Sequence, residues 1–281
     1  MQKPAYPANE IARLKDLFSH ELLDTTPDEF LDSVTHLAQN VFHVKTVLIS
    51  LIDANRQWFK SRQGLDAAET PRDISFCGHV ILQDDIFEIS DALEDQRFAD
   101  NPLVTGNPLI RFYVGIPIKS ARGNNLGTLC LIDDHPRTLT QDERAFLVDF
   151  KNIIQTYIIN QHQNKTFQLI MDSVQEGIIV HDRSGRIVFI NPAAHDLLGD
   201  SLMPLFGQSS WTQGKELSKQ ATSNLTEVND MMIALHREVL PYEGHTVLTK
   251  VDGQKVQVYF QIEPLIRGGI LTNTILVLQT D

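Results

Sequence analysis

At 281 residues, with 42% hydrophobic and 21% charged side chains, the chain is long enough to bury two cores of ordinary composition. Its net charge of −12, negative in both halves, disfavours docking on nucleic-acid backbones or anionic membranes. Two cysteines exclude a disulfide framework, and the opening MQKPAYPANE and apolar runs such as VLISLI (47–52) fall short of a signal core and of the ~20 residues a membrane span needs, so the expectation is a cytoplasmic protein.

Ile11, Leu14, Leu17 and Phe18 recur at helical spacing. A second stripe runs through Phe30, Leu31, Val34, Leu37, Ala38, Val41 and Phe42, with Thr26 placed to cap it and Pro27 at its first position. The pattern then switches to strands at 46–53, 57–62, 87–90, 110–118 and 126–133, with KSARGNN (119–125) as a hairpin turn. A long helix is predicted from about Thr140 to Asp172. From Gly177, GIIVHD and RIVFI form a hairpin around Ser184-Gly185, followed by a short helix from Pro192 to Leu198. Residues 200–216 read as loop and 224–238 as helix. Three strands close the chain at 245–252, 254–265 and 270–279, the first two joined by an Asp252-Gly253 turn.

Catalytic patterns fail on inspection. HELLD (20–24) has Asp24 where a zinc-binding helix needs its second histidine, and Gly214-Lys215 is followed by Glu216 rather than a hydroxyl residue. No nucleophile elbow or clustered Cys/His set appears, so no metal site is expected. Cys77-Gly78-His79 is the one compact reactive-looking group, placed where a helix N-terminus would stabilise a thiolate; a small packing residue is the plainer reading. Cys130 lies inside an apolar strand and reads as inert. In DALEDQRFADNPLV (91–104), Arg97 either pairs with Asp91 or Asp95 or meets an anionic ligand.

The stretches LISLIDANRQWFKSRQGL (48–65), ETPRDISFCGHVI (69–81), ISDALEDQRFADNPLVTG (89–106), IRFYVGIPI (110–118) and LGTLCLIDDHPRTLT (126–140) resemble a GAF domain of the kind found at the front of bacterial sensor histidine kinases and diguanylate cyclases. DSVQEGIIVHDRSGRIVFINPAAHDLLG (172–199), with DGQKVQVYFQIEPL and TILVLQTD, is similar to a PAS domain. The resemblance implies an α+β chain of two domains, residues 1–160 and 166–281, each an antiparallel sheet of five or six strands flanked by helices, joined by a long helix reaching about residue 172. Bilin is disfavoured because Gly78 separates Cys77 from His79, flavin because the second half lacks cysteine, and haem because His236 is better read as solvent-facing. No cofactor is assigned.

The same resemblance implies a ligand pocket in each domain. In the first, Phe76, Cys77 and Tyr113 would supply walls and Asp91, Arg97 and Arg111 charge anchors; in the second, Phe189, Asn191 and His195 are the candidates. Ile154, Ile158 and Phe167 are placed on a parallel homodimer seam along the joining helix. The expectation is a non-catalytic sensory module, binding a small molecule or protein partner and passing a signal to a cyclase or kinase output beyond Asp281. The alternatives are a redox enzyme using Cys77 on an oxidised small molecule, and a purely structural dimeriser.

Overall fold

The computed structural model describes residues 1–198, 241–249 and 254–280. The expected loop and helix at 200–238, His236, and the Asp252-Gly253 turn lie outside these residues. The chain divides into two compact units, residues 1–163 and 164–281.

Helices α1 (Glu10–Ser19) and α2 (Glu29–Phe42) open the first unit. The cap of α2 is Asp28, not Thr26: its carboxylate accepts from the Phe30 and Leu31 amides, two donors the first helical turn leaves unsatisfied. Strands β1 (Thr46–Ile52), β2 (Arg56–Gln63) and β3 (Glu69–Pro71) follow, then the short helix α3 (Cys77–Val80), β4 (Phe87–Ile89) and the short helix α4 (Pro102–Thr105). The hairpin of β5 (Phe112–Lys119) and β6 (Asn125–Asp133) leads into α5 (Gln141–Ser173). The strands pair antiparallel in the order β3-β2-β1-β6-β5-β4.

The strand alternation splits the apolar side chains between two faces. Val47, Ile49, Val114, Ile116, Leu129 and Leu131 pack with Leu31, Ala38 and Phe42 of α2 and with Leu147, Phe150, Ile154 and Ile158 of α5. Leu48, Tyr113 and Cys130 lie in the opposite cluster with Phe76, Cys77 and Phe98. Both faces are covered, which is why β1 is buried along its whole length.

This assignment corrects the dimer seam. Ile154 and Ile158 are 0% and 1% exposed, filling the core of their own unit, whereas the neighbouring Phe146 and Ile153 are each 48% exposed. The apolar stripe is wider than the face that meets the sheet, and the predicted residues belong to the inner half. Phe167 is half exposed and lies against Phe189, ring centroids 5.5 Å apart. In α1 likewise only Leu17 of the predicted stripe is fully buried; Ile11 and Phe18 face outward, and the inner face carries Arg13 and Asp16 instead.

The second unit contains β7 (Gly177–Asp182), β8 (Ile187–Ile190), α6 (Pro192–Leu198), β9 (Tyr242–Thr249), β10 (Lys255–Arg267) and β11 (Ile270–Thr280), in the antiparallel order β8-β7-β11-β10-β9. Val258, Phe260 and Ile262 of β10 and Leu276 and Leu278 of β11 alternate with less buried neighbours and pack with Ile179, Ala194 and Leu197. Gly268 and Gly269, both at positive φ, form the two-residue turn between β10 and β11. The architecture is α+β, with a six-stranded and a five-stranded antiparallel sheet and a long helix between them, as the sequence predicts.

His181 on β7 is buried, and its Nδ1 has no hydrogen-bond partner. Burial, offset in small part by Asp182, holds its pKa down at about 4, against an ordinary 6.5. The unfolded chain therefore takes up this proton first as pH falls. The second unit is fully stable above 6.5 and is expected to lose about 3 kcal/mol between pH 6.5 and 4. Denaturant titrations across that range, compared with His181→Met, check this: the variant should lose that part of the pH slope.

Candidate functional site

Ser75 sets the entry to the site. Its hydroxyl donates to the Arg72 carbonyl at 2.8 Å and accepts from the Gly78 amide at 3.1 Å, which starts α3 at Cys77. Gly78 has no room for a side chain, since a Cβ would meet Pro4 at 2.6 Å and the Ser75 hydroxyl at 2.7 Å. Cys77 is thereby directed onto the face of β1, β5 and β6. Its sulfur lies 3.6 Å from Cys130 Sγ and 3.6 Å from Ser50 Oγ, and the Tyr113 hydroxyl donates to it at 3.1 Å. Gly115 makes space for that hydroxyl, because a Cβ there would sit 2.5 Å from it.

Two thiols and the hydroxyls of Ser50, Thr128 and Tyr113 thus sit inside an otherwise apolar cluster. Thr128 Oγ1 is buried without a hydrogen-bond partner. Burial pushes the Cys77 thiol up, but the polar side chains around it, Cys130, Thr128, Tyr113 and Ser50, outweigh it and bring Cys77 below the usual thiol range. Cys130 is driven well up, because burial and the adjacent Cys77 both oppose a second charge. Cys130 is fully buried with its thiol held protonated, as an inert strand residue should be, but the register puts it directly beside Cys77: β6 presents Leu129 and Leu131 to one face and Cys130 to the other.

Aromatic rings close the site. Phe76 stacks on Phe98 at 4.1 Å and tilts against Tyr113 at 4.9 Å, and His79 meets Phe98 edge-on at 4.9 Å. The Arg97 guanidinium lies over Phe87 at 4.9 Å and Phe98 at 5.3 Å while pairing with Asp95 at 2.6 Å. Of the two readings for Arg97, the structure shows the self-satisfied loop.

The structure brings Phe76, Cys77 and Tyr113 together and assigns local tasks to the proposed charge anchors. Asp91 accepts from the Leu93 amide. Arg111 Nη1 donates to the carbonyls of Val104, Leu109 and Ile110, holding a turn in which Leu109 adopts a φ of 61°. Phe98, Phe87 and His79 complete the enclosure and were not among the predicted residues. Asp133, Asp134 and His135 bring ligand atoms within 4.8 Å of one another, a carboxylate-rich group rather than a Cys/His set, and Lys45 is bound to Asp134.

In the second unit Asn191 is buried and fully used. Its Oδ1 accepts from the Ile178 amide at 2.7 Å and the Ala194 amide at 3.0 Å, and its Nδ2 donates to the carbonyls of Glu176 at 2.9 Å and Met171 at 3.3 Å. It is a brace rather than a pocket wall. Phe189 is half-buried against Phe167, and His195 lies on the exposed side of α6.

The family model for the GAF domain matches residues 26–158, and that for a PAS domain matches residues 165–229. The chain carries a GAF domain followed by a PAS domain. The GAF domain is similar to part of the Pseudomonas aeruginosa protein "Cyclic di-GMP phosphodiesterase PA2567", 42% identical over 159 residues, which are 56% of this chain and 27% of that protein. The chain thus spans about a quarter of the length of that relative. Among solved structures, the GAF domain of Acinetobacter phosphoenolpyruvate-protein phosphotransferase is 18% identical (TM-score 0.41, 55% of this chain and 98% of that one). The E. coli DhaR(N)-DhaL complex is 13% identical (TM-score 0.44, 99% and 94%). The PAS domain of Bordetella pertussis BvgS is 20% identical (TM-score 0.34, 42% and 86%). Among the described residues no helix is long and apolar enough to cross a membrane.

Proposed function

We propose that this chain is the sensory front end of a cyclic-dinucleotide signalling protein. The GAF domain binds a small molecule or a partner, and α5 carries the bound state towards an output enzyme. The observation that carries this reading is the 42% identity of the GAF part to a cyclic di-GMP phosphodiesterase. The build of α5 supports it: the helix is anchored under the GAF sheet as far as Ile158 and continues to Ser173. A ligand signals only if it binds one arrangement of that helix more tightly than another. The chain works as a homodimer through the outer edge of α5, where Phe146, Ile153, Asn160 and Phe167 recur every seven residues, with the polar Asn160 inside an apolar row. An enzyme turning over an oxidised organic substrate at Cys77 is less well supported, since that residue is 1% exposed and a substrate larger than a peroxide could not reach it.

Thermal-shift screening and native mass spectrometry of the full chain test the ligand. A ligand at 100 times its Kd should add about 2.7 kcal/mol to the GAF transition. If no small molecule is retained or shifts the transition, a docked protein replaces it. Removing residues 1–163 from the natural protein should change the cellular cyclic di-GMP level; an unchanged level ends the cyclic-dinucleotide reading.

A further inference from the structure

We propose that Cys77 and Cys130 form an internal disulfide when the GAF domain meets a hydroperoxide, so that the floor of the site is a reversible dithiol couple. The two sulfurs are 3.6 Å apart, and both are buried. Closing to bonding distance needs a movement of roughly 1.5 Å. The four-residue helix α3, held through Ser75, supplies it more readily than the central strand β6. Tyr113 and Ser50 contact the pair directly, and the buried Thr128 hydroxyl beside it has no hydrogen-bond partner. A thiol pair kept only for packing needs no such neighbours, because burying hydroxyls in an apolar cluster is unfavourable unless they serve a polar group.

Burial also selects the oxidant. Cysteines at 1% and 0% residue exposure exclude a bulky disulfide, which must approach in line along its S–S axis, and leave a hydroperoxide as small as hydrogen peroxide. In the first step the Cys77 thiolate attacks one peroxide oxygen. An S–O bond forms, the O–O bond breaks, and hydroxide leaves to be protonated to water. Cys77 becomes a sulfenic acid, oxidised by two electrons as the peroxide is reduced. In the second step Cys130 attacks the Cys77 sulfur. The S–S bond forms and the S–O bond breaks. The departing hydroxide takes up the Cys130 proton as a second water. The bond would draw α3 onto β6 and move Phe76 against Phe98, so oxidation would reshape the wall of the site whether or not a ligand is bound.

The test is on the wild-type chain. It is treated with hydrogen peroxide, alkylated after unfolding, and analysed by intact mass and peptide mapping. The expected product is two hydrogens lighter, with a peptide joining Cys77 to Cys130 that dithiothreitol releases. In Cys130→Ala, Cys77 should accumulate as a sulfenic acid trapped by dimedone. In Tyr113→Phe, losing the 3.1 Å donor should leave about tenfold less thiolate at neutral pH and slow the first step. The proposal is overturned if Cys77 is oxidised while Cys130 stays a free thiol in the wild type. It is equally overturned if both thiols survive peroxide that oxidises the urea-unfolded chain.

Discussion

Ile154→Glu is expected to unfold the GAF domain, whereas Ile153→Glu, one residue earlier, leaves it folded. Ile154 is fully buried between α5 and the sheet, among Phe150, Ile158 and Leu147. Losing its side-chain burial costs about 2–5 kcal/mol, and placing a carboxylate there adds several more. The total rivals the 5–15 kcal/mol by which a whole domain is stable. Ile153 points away from the sheet, and a charge there changes monomer stability by only about 0.5 kcal/mol. Circular dichroism and calorimetry should show the transition of residues 1–163 missing in the first variant and present in the second. Light scattering then decides the assembly. A folded Ile153→Glu monomer beside a wild-type dimer places the seam on the outer edge of α5. A folded Ile154→Glu chain would mean that the helix is not anchored as described.

Removing the Glu10 carboxylate is expected to cost about 3–5 kcal/mol, because it strands two buried cations. Glu10 accepts from Arg13 at 2.7 and 2.9 Å and from Arg72 at 2.5 Å, and those side chains are only 1% and 3% exposed. Arg13 also donates to the Asn125 carbonyl and Arg72 to that of Asp53, so both guanidiniums are fixed where they are. Burial pushes the Glu10 carboxyl up, and the two arginines more than reverse this, leaving it below its ordinary 4.5. Its contribution is therefore complete above pH 4.5 and drains away as pH falls below it. Urea titration of Glu10→Ala near neutral pH should show the whole loss, and repeating it in acid should narrow the gap to wild type. Equal midpoints at neutral pH would mean the arginines are not buried as described.

The α+β plan was legible because the sequence changes period. Helical stripes before residue 43 and after 140 bracket alternating runs, and the structure follows those switches closely. What could not be read was which part of a wide stripe meets the sheet. Phe146, Leu147, Phe150, Ile153, Ile154, Tyr157 and Ile158 look alike in sequence, and only packing divides Ile153 from Ile154. The inner face of α1 was hidden for a related reason: Arg13 and Asp16 are paired there with Glu10, Ser120 and Asn124, and no hydrophobic pattern announces a satisfied charge. The Cys77–Cys130 pair depends on cross-strand register. Cys130 lies opposite Gly115 on β5 and Leu48 on β1, information that a single strand does not contain. Arg97 had two partners on offer within its own loop and took the nearer, Asp95.

Asn191 turns the start of the PAS domain into a joint with two separable halves. Its oxygen binds β7 and α6 to each other through the Ile178 and Ala194 amides. Its nitrogen holds the Met171 carbonyl, in the last turn of α5, and the Glu176 carbonyl just before β7. Torque on the end of α5 reaches the first strand through the NH2 group of this amide, while the carbonyl on the same carbon keeps strand and helix clamped together. Changing the nitrogen to oxygen would turn a grip on two carbonyls into a repulsion and leave the clamp intact. The amide thus ties the end of α5 to the first strand, beside the Phe167–Phe189 contact between the same helix and β8.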